Sequence, residues 1–205
     1  MISPPSLRDT FGNIDIYLFD QLLKGRFTPE MRLLDAGCGD GRNLIYFLRN
    51  GFDLHGVDRS ADAIARVRSL AARLATDLPA ENFRVEPVER MSFADGSFNV
   101  VISSAVLHFA RDEDEWRSMV EEMWRVLAPG GMLFARLASS IGIETRIRHL
   151  EGRRYHLPDG SDRFLVDEEM LLVATDLLGG HLLDPLKSVV VQGMRSMSTW
   201  CIMKR

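Results

Sequence analysis

Apolar residues in this 205-residue chain fall into two textures: short runs of strand length, and stretches with apolar positions three and four apart. Phe11, Ile14, Leu18 and Leu22 recur at helical spacing, with Tyr17 and Leu23 beside them, and predict one amphipathic helix ending near Gly25. Residues 31–36 read as a strand, apolar over 31–34 except for Arg32. Residues 42–49 read as a helix carrying Asn43, Leu44, Tyr46, Phe47 and Leu48. A second strand covers 53–57 and ends at Asp58. Ser60 is placed to cap a helix through about Ala75, with Ala61, Ile64, Ala65, Val67 and Leu70 available for its buried face. Pro79 closes that unit, and 82–86 is a short third strand. Residues 98–103 read as a central strand buried on both faces. The stretch 112–127 places Trp116, Met119, Val120, Met123, Trp124 and Leu127 at helical spacing behind an acidic first turn, which suits the helix dipole. Pro129-Gly130-Gly131 then turns into a fifth strand over 132–138. Residues 139–166 lack a period and predict an irregular insertion with a turn at Leu157-Pro158-Asp159-Gly160. A helix over 167–178 is stopped by Gly179-Gly180, and 185–191 with 194–203 predict a hairpin.

The alternation of strand and helix is the α/β pattern of a parallel sheet. Its chemistry concentrates in Leu33-Leu34-Asp35-Ala36-Gly37-Cys38-Gly39-Asp40-Gly41, where the first strand breaks into alternating glycines before a helix. Gly37 suits the sharp turn out of the strand, Gly39 lets backbone approach a ligand, and Gly41 permits close packing as the helix begins. A dinucleotide fingerprint would need a small residue where Arg42 stands. Asp35 and Asp40 would repel a pyrophosphate and suit a cationic or zwitterionic ligand. S-adenosylmethionine carries an ammonium and a sulfonium and no phosphate.

Leu-Leu-Asp-Ala-Gly-Cys-Gly-Asp-Gly-Arg-Asn resembles motif I of the S-adenosylmethionine-dependent methyltransferases with the seven-stranded Rossmann-like fold. Gly56-Val57-Asp58-Arg59-Ser60 resembles the acidic motif of the second strand. The stretch Phe93 to Val101 resembles the lead into the fourth strand, and Leu127-Ala128-Pro129-Gly130-Gly131-Met132-Leu133 the turn into the fifth. The resemblance covers roughly residues 31–138 and is strongest to small bacterial tellurite-resistance-like methyltransferases. It implies an α/β, doubly wound, mostly parallel seven-stranded sheet with a C-terminal antiparallel hairpin. It further implies S-adenosyl-L-methionine as cofactor and S-adenosyl-L-homocysteine as product. The expected cofactor contacts are Asp35, Gly37, Cys38, Gly39, Gly41, Asn43, Asp58, Arg59, Val88, Glu89 and Ser103.

Asp58 is the expected partner of the ribose hydroxyls, because Ser60 already fills the capping role that a strand-end aspartate might otherwise play. Arg59 either flanks the adenine or is solvated. The third strand departs from the family pattern: Pro87 stands where an acidic residue usually takes the adenine amino group. Val88 could still offer its N–H to the ring, with Glu89 close by. Ser103 to His108 follow the fourth strand, where open α/β sheets bind ligands. His108 has the acidity of a proton acceptor, or else it bonds the following turn. Arg136 interrupts the fifth strand near its carboxyl end. Arg136, Arg153, Arg154, Arg163 and Arg195 either hold an anionic acceptor or are surface charge. Trp116, Trp124 and the scattered methionines read as core.

The length predicts one domain, with 1–29 as an N-terminal arm and cap helix. The arm, residues 1–9, reads as a mobile lid, and the helix as either a lid or a plain sheet cover. A net charge of −4 gives no sign of a nucleic-acid surface. Two distant cysteines exclude a disulfide framework, and the five dispersed histidines give no metal spacing. Met1 to Asp9 lacks the apolar core of a signal peptide, and no run approaches a membrane span, so a cytoplasmic enzyme is expected. The expected partner is a small-molecule acceptor; the sequence does not name it, nor the oligomeric state. Two alternatives stay open: a cofactor-binding regulator without turnover, and a nicotinamide-dependent oxidoreductase.

Overall fold

The computed structural model describes residues 6–205, so the predicted arm falls partly outside the described residues. The chain divides into two compact units, Met1–Val88 and Glu89–Arg205.

The first unit contains α1 (Leu7–Phe11), α2 (Ile16–Leu23), β1 (Arg32–Ala36), α3 (Ile45–Arg49), β2 (Asp53–Asp58), α4 (Ala61–Leu74) and β3 (Phe83–Val85). Its strands are parallel, with β2 between β1 and β3; Asp35 pairs with Gly56 and Asp58 with Val85. Leu33, Leu34, Phe47, Leu54, Val57, Val67 and Phe83 are fully buried. Each contributes about 1.5–3 kcal/mol relative to exposure.

The single N-terminal helix predicted from Phe11 to Leu22 is two helices. The periodicity runs across a break that local polar groups impose. Ser6 and Asp9 cap α1 reciprocally, which makes residues 7–9 helical rather than an arm. Gly12 ends α1 at φ +65°, and the Asp15 carboxylate opens α2 by accepting from the Tyr17 N–H at 2.9 Å. Phe11 stacks on Tyr46 at 5.2 Å and meets Phe19 edge-on at 4.8 Å, so the break packs against α3. The helix predicted over 42–49 starts only at Ile45. Residues 41–44 form a turn closed by Gly41 N–H to Cys38 O and Leu44 N–H to Gly41 O. The α4 helix lies where expected, with Ser60 Oγ accepting from the Ala63 N–H.

The second unit contains β4 (Phe98–Ser104), α5 (Glu113–Val126), β5 (Leu127–Ser139), β6 (Arg148–Glu151), β7 (Arg154–His156), β8 (Asp162–Phe164), α6 (Glu168–Leu177), β9 (Gly180–Leu182), β10 (Lys187–Val191) and β11 (Arg195–Lys204). β4 and β5 are parallel; β11 is antiparallel to β5, β9 and β10. All of β4 except Asn99 is buried, as its composition predicts. β5 begins earlier than expected because Leu127 already pairs with Phe98 before the Pro129-Gly130-Gly131 turn. The pairing resumes at Val100 and Met132. Trp116 stacks on Trp200 and Phe164, at 6.3 and 6.2 Å, and anchors α5 to the sheet as core.

Residues 139–166 are not irregular. They hold the antiparallel sheet β6-β7-β8, whose strands of three or four residues are too short and too charged to show a period. β9 was hidden by the same brevity. Among the described residues no helix is long and apolar enough to cross a membrane.

Candidate cofactor loop and acceptor-side cluster

The glycine loop leaves β1 under tension from two sides. Gly37 and Cys38 both donate to Val57 O, at 2.8 and 2.9 Å, so the loop continues to hug β2 after β1 ends. Asp58, the last residue of β2, reaches back: one carboxylate oxygen accepts from the Gly39 N–H at 3.0 Å and the other from the Ser60 N–H at 2.8 Å. One aspartate thus fixes both the glycine loop and the start of α4. The two later glycines do different work. A Cβ on Gly41 would lie 2.8 Å from Val67, so Gly41 lets α4 pack against the loop. A Cβ on Gly39 would meet nothing within 4 Å, so the backbone there faces open space. Gly39 is the position at which a ligand can approach.

Three carboxyl groups, Asp35, Asp40 and Asp58, lie in or beside the loop. Asp35 is buried, and burial raises its carboxyl to about 7, with Arg42 opposing and Asp58 adding to the rise. Burial also pushes the Cys38 thiol up, helped by the same two aspartates, so this cysteine is inert packing within the loop. Gly56, on the neighbouring strand, makes room for it: a Cβ there would sit 3.0 Å from the Cys38 sulfur. Asn43 is buried and accepts from the Asp15 N–H at 2.9 Å, while Arg42 lies 3.9 Å from the Asp15 carboxylate. Asn43 therefore ties the start of α2 to the loop. Arg59 is exposed and Val88 is buried at the end of the unit.

The remaining predicted contacts, Glu89 and Ser103, belong to the second unit, where Glu89 is exposed. Ser103 is fully buried on β4, and its hydroxyl has no hydrogen-bond partner among the described residues. After β4 the backbone turns at Ala105, which holds φ +64° and donates to Arg136 O at 2.8 Å. A non-glycine residue in that region is strained, and such strain clusters at functional sites. Arg136 pairs with Ser104 on one side and Thr199 on the other, so the three side chains share one face of the sheet.

His108 sits in a short 3-10 turn and is buried. Its Nδ1 accepts from the Ala138 N–H at 3.2 Å. A backbone N–H can only donate, so Nδ1 is bare and the proton resides on Nε2. Burial, with Arg163 adding to it, lowers the ring to about 4. The residue is therefore neutral at physiological pH and presents an N–H. With Nδ1 accepting from the backbone, Nε2 is the donor of this ring. Of the insertion's arginines, Arg153 is paired with Asp167 at 2.8 Å.

Residues 34–135 match the family described as Methyltransferase domain. Over these residues the chain carries a methyltransferase domain. It is 32% identical over 127 residues to the uncharacterized methyltransferase YodH of Bacillus subtilis, covering 62% of this chain and 48% of the relative. It is 30% identical over 165 residues to a ubiquinone biosynthesis O-methyltransferase of Brucella anthropi, covering 76% and 62%. The chain thus spans about half the length of the first of these curated relatives. The crystal structure of a methyltransferase from Methanosarcina mazei superposes with a TM-score of 0.73 at 21% identity, covering 89% of this chain and 96% of that one. The fold is the Rossmann-like methyltransferase fold, mostly parallel with a C-terminal antiparallel hairpin. The crystal structure of a Burkholderia thailandensis N1-methyltransferase with bound S-adenosylhomocysteine superposes with a TM-score of 0.69 at 19% identity, covering 91% of this chain and 75% of that one.

Sequence reasoning missed three parts of these sites. Gly56 reads as an ordinary strand residue until Cys38 is seen beside it. The Asp15–Asn43 bond joins positions with no common motif. Ala105 gives no sign of its left-handed backbone, because alanine rarely adopts it.

Proposed function

We propose that this chain transfers a methyl group from S-adenosylmethionine to a small-molecule acceptor, with the whole chain acting as one methyltransferase domain. One observation carries the reading: an open glycine backbone at Gly39 flanked by the buried Asp35 and by Asp58. Two carboxylates at that place oppose the phosphates of a dinucleotide and favour a ligand with an ammonium and a sulfonium. The family match, which runs from the first unit into the second, supports the single-domain reading.

The loop fits the cofactor. Each Asp58 oxygen holds one backbone N–H and keeps a lone pair for a ribose hydroxyl. Gly37, Cys38, Gly39 and Gly41 form the cradle, and Asn43 holds its outer wall through Asp15. Val88, Glu89 and Arg59 are the adenine-side candidates in place of the acidic residue that Pro87 replaces. Ser103 is the cofactor candidate on β4. When bound, the cofactor supplies a methyl group already activated on sulfur. This chain's residues then have to bind, align and exclude water rather than activate. On the acceptor side His108 contributes an N–H and Arg136 a positive charge.

A small acceptor is supported by the mild net charge, by the absence of a basic surface from composition, and by the Brucella relative, whose name places it in ubiquinone biosynthesis. The resemblance to tellurite-resistance-like enzymes is compatible with that reading and names no acceptor. Incubation with methyl-labelled cofactor and a metabolite panel tests it. Label should appear in a small product. Label found only in protein or nucleic acid would overturn the acceptor class.

A further inference from the structure

Three arginines of the insertion, Arg153, Arg154 and Arg163, sort by partner. Arg153 is neutralised by Asp167 at 2.8 Å, with Glu113 at 3.9 Å. Arg154 and Arg163 have no carboxylate of the described residues within 4 Å; what they touch is neutral. Arg154 donates to Ala110 O at 3.3 Å, and Arg163 donates to Asp162 O at 2.8 Å. The Arg163 guanidinium lies over the Phe109 ring, 4.9 Å from its centroid. Arg154 and Arg163 therefore both reach the segment 107–110, which follows the carboxyl end of β4. That segment carries the one ring nitrogen, Nε2 of His108, that its own fold leaves as a donor.

The contact is fixed rather than incidental. The return of the insertion is pinned to the end of β5, with Ser140 N–H bonded to Val166 O at 2.9 Å and Ser139 bridged to Val166. Phe109, 46% exposed, meets the His108 ring at 4.6 Å with the two planes tilted by 54°, and carries Arg163 on its face. A half-buried guanidinium seated on an aromatic ring keeps its planar fork ordered, and the carboxylate that feels its charge, Asp159, lies beyond ion-pair distance. Water alone is a poor partner for a charge held there.

Resting on the methyltransferase reading above, we infer that Arg163, supported by Arg154 and the His108 N–H, recognises an oxyanion on the methyl acceptor, so that the acceptor is an anionic small molecule. A planar guanidinium fork matches a carboxylate or a phosphate through two parallel bonds. Among the described residues no carboxylate pairs with Arg163 within 4 Å, which leaves that role to the substrate.

The test uses the full chain and three probes of one shape: benzoate, phenyl phosphate and benzamide. Binding is followed by the imidazole nitrogen resonances of His108, with and without S-adenosylhomocysteine. Benzoate or phenyl phosphate should shift the Nε2 resonance, and whichever binds tighter identifies the oxyanion; benzamide should leave it unmoved. Arg163→Gln should weaken anion binding by about tenfold or more, the size expected for a lost charged hydrogen bond. Arg163→Lys should fall between, since it keeps charge without the fork. The bare Nδ1 signature of His108 should persist in both variants and so report an intact fold. Anions that leave His108 unmoved in the wild-type protein, or that bind Arg163→Gln equally well, would overturn the inference. Failure of the methyltransferase reading would register separately, as absence of any thermal stabilisation by S-adenosylhomocysteine, whatever the anions do.

Discussion

Cofactor affinity should depend on pH through Asp35. Burial holds its carboxyl at about 7 instead of the ordinary 3.8, against the opposing pull of Arg42 and with the help of Asp58. The difference is roughly 3 units, which puts a ceiling of about 4 kcal/mol on the cost of ionising Asp35 in the folded, ligand-free chain. The sign follows from proton counting. Between pH 3.8 and about 7 the folded chain keeps a proton that the unfolded chain has released, so stability without ligand falls as pH rises through that window. A cation bound beside the loop does the reverse and favours the carboxylate, so binding below pH 7 must expel that proton. The apparent dissociation constant should then be about tenfold larger at pH 6 than at pH 8, with close to one proton released at the lower pH. Asp35→Asn removes the titrating group and should flatten the profile. Calorimetry with S-adenosylhomocysteine at both pH values, in buffers of different ionisation enthalpy, gives affinity and proton release together. Equal affinity at the two pH values with no proton released would refute the placement of Asp35 beside the ligand's positive charge.

Asp58→Ala should weaken S-adenosylhomocysteine binding by about 1–3 kcal/mol, because it frees the Gly39 N–H and removes the ribose acceptor together; unchanged affinity by calorimetry would take Asp58 out of the site. Arg136→Met should raise the acceptor KM and leave cofactor affinity intact, and loss of both together would make the residue structural. Asn43→Leu should destabilise the fold by about 1–3 kcal/mol in urea, since it strands the buried Asp15 N–H; hydrogen exchange should show the loss first over residues 12–23. His108→Asn should keep the bond to Ala138 but lose the titration. The wild type should lose stability as pH falls from 6.5 towards about 4, where the buried ring must charge, and the variant should lose less over that window.

What could be read from the sequence had local causes. The strand-glycine-helix loop, Asp58 at a strand end, Ser60 as a cap and the apolar run of β4 each announce themselves within a few residues, and the structure places them accordingly. The losses came where a local period met a nonlocal constraint. Apolar spacing ran through Gly12, but the Asp15 cap and the packing of Phe11 on Tyr46 broke the helix there. The β6-β7-β8 sheet has strands too short for alternation to register, and its register shifts between His149 and Glu151. His108 was correctly placed after β4, yet its chemistry depended on Ala138, thirty residues on, whose N–H decides which ring nitrogen carries the proton. The glycine-loop candidates were legible because one loop carries them; the surroundings of His108 and Arg136 were not, because they are assembled from β4, β5 and the insertion.

The central claim is that the glycine loop holds S-adenosylmethionine, and titration of the chain with S-adenosylhomocysteine beside NAD and NADP tests it most directly. Saturable one-to-one binding of S-adenosylhomocysteine, with a rise in Tm that grows with its concentration and no shift from either dinucleotide, is the predicted result. Binding of NADP with none of S-adenosylhomocysteine would contradict it.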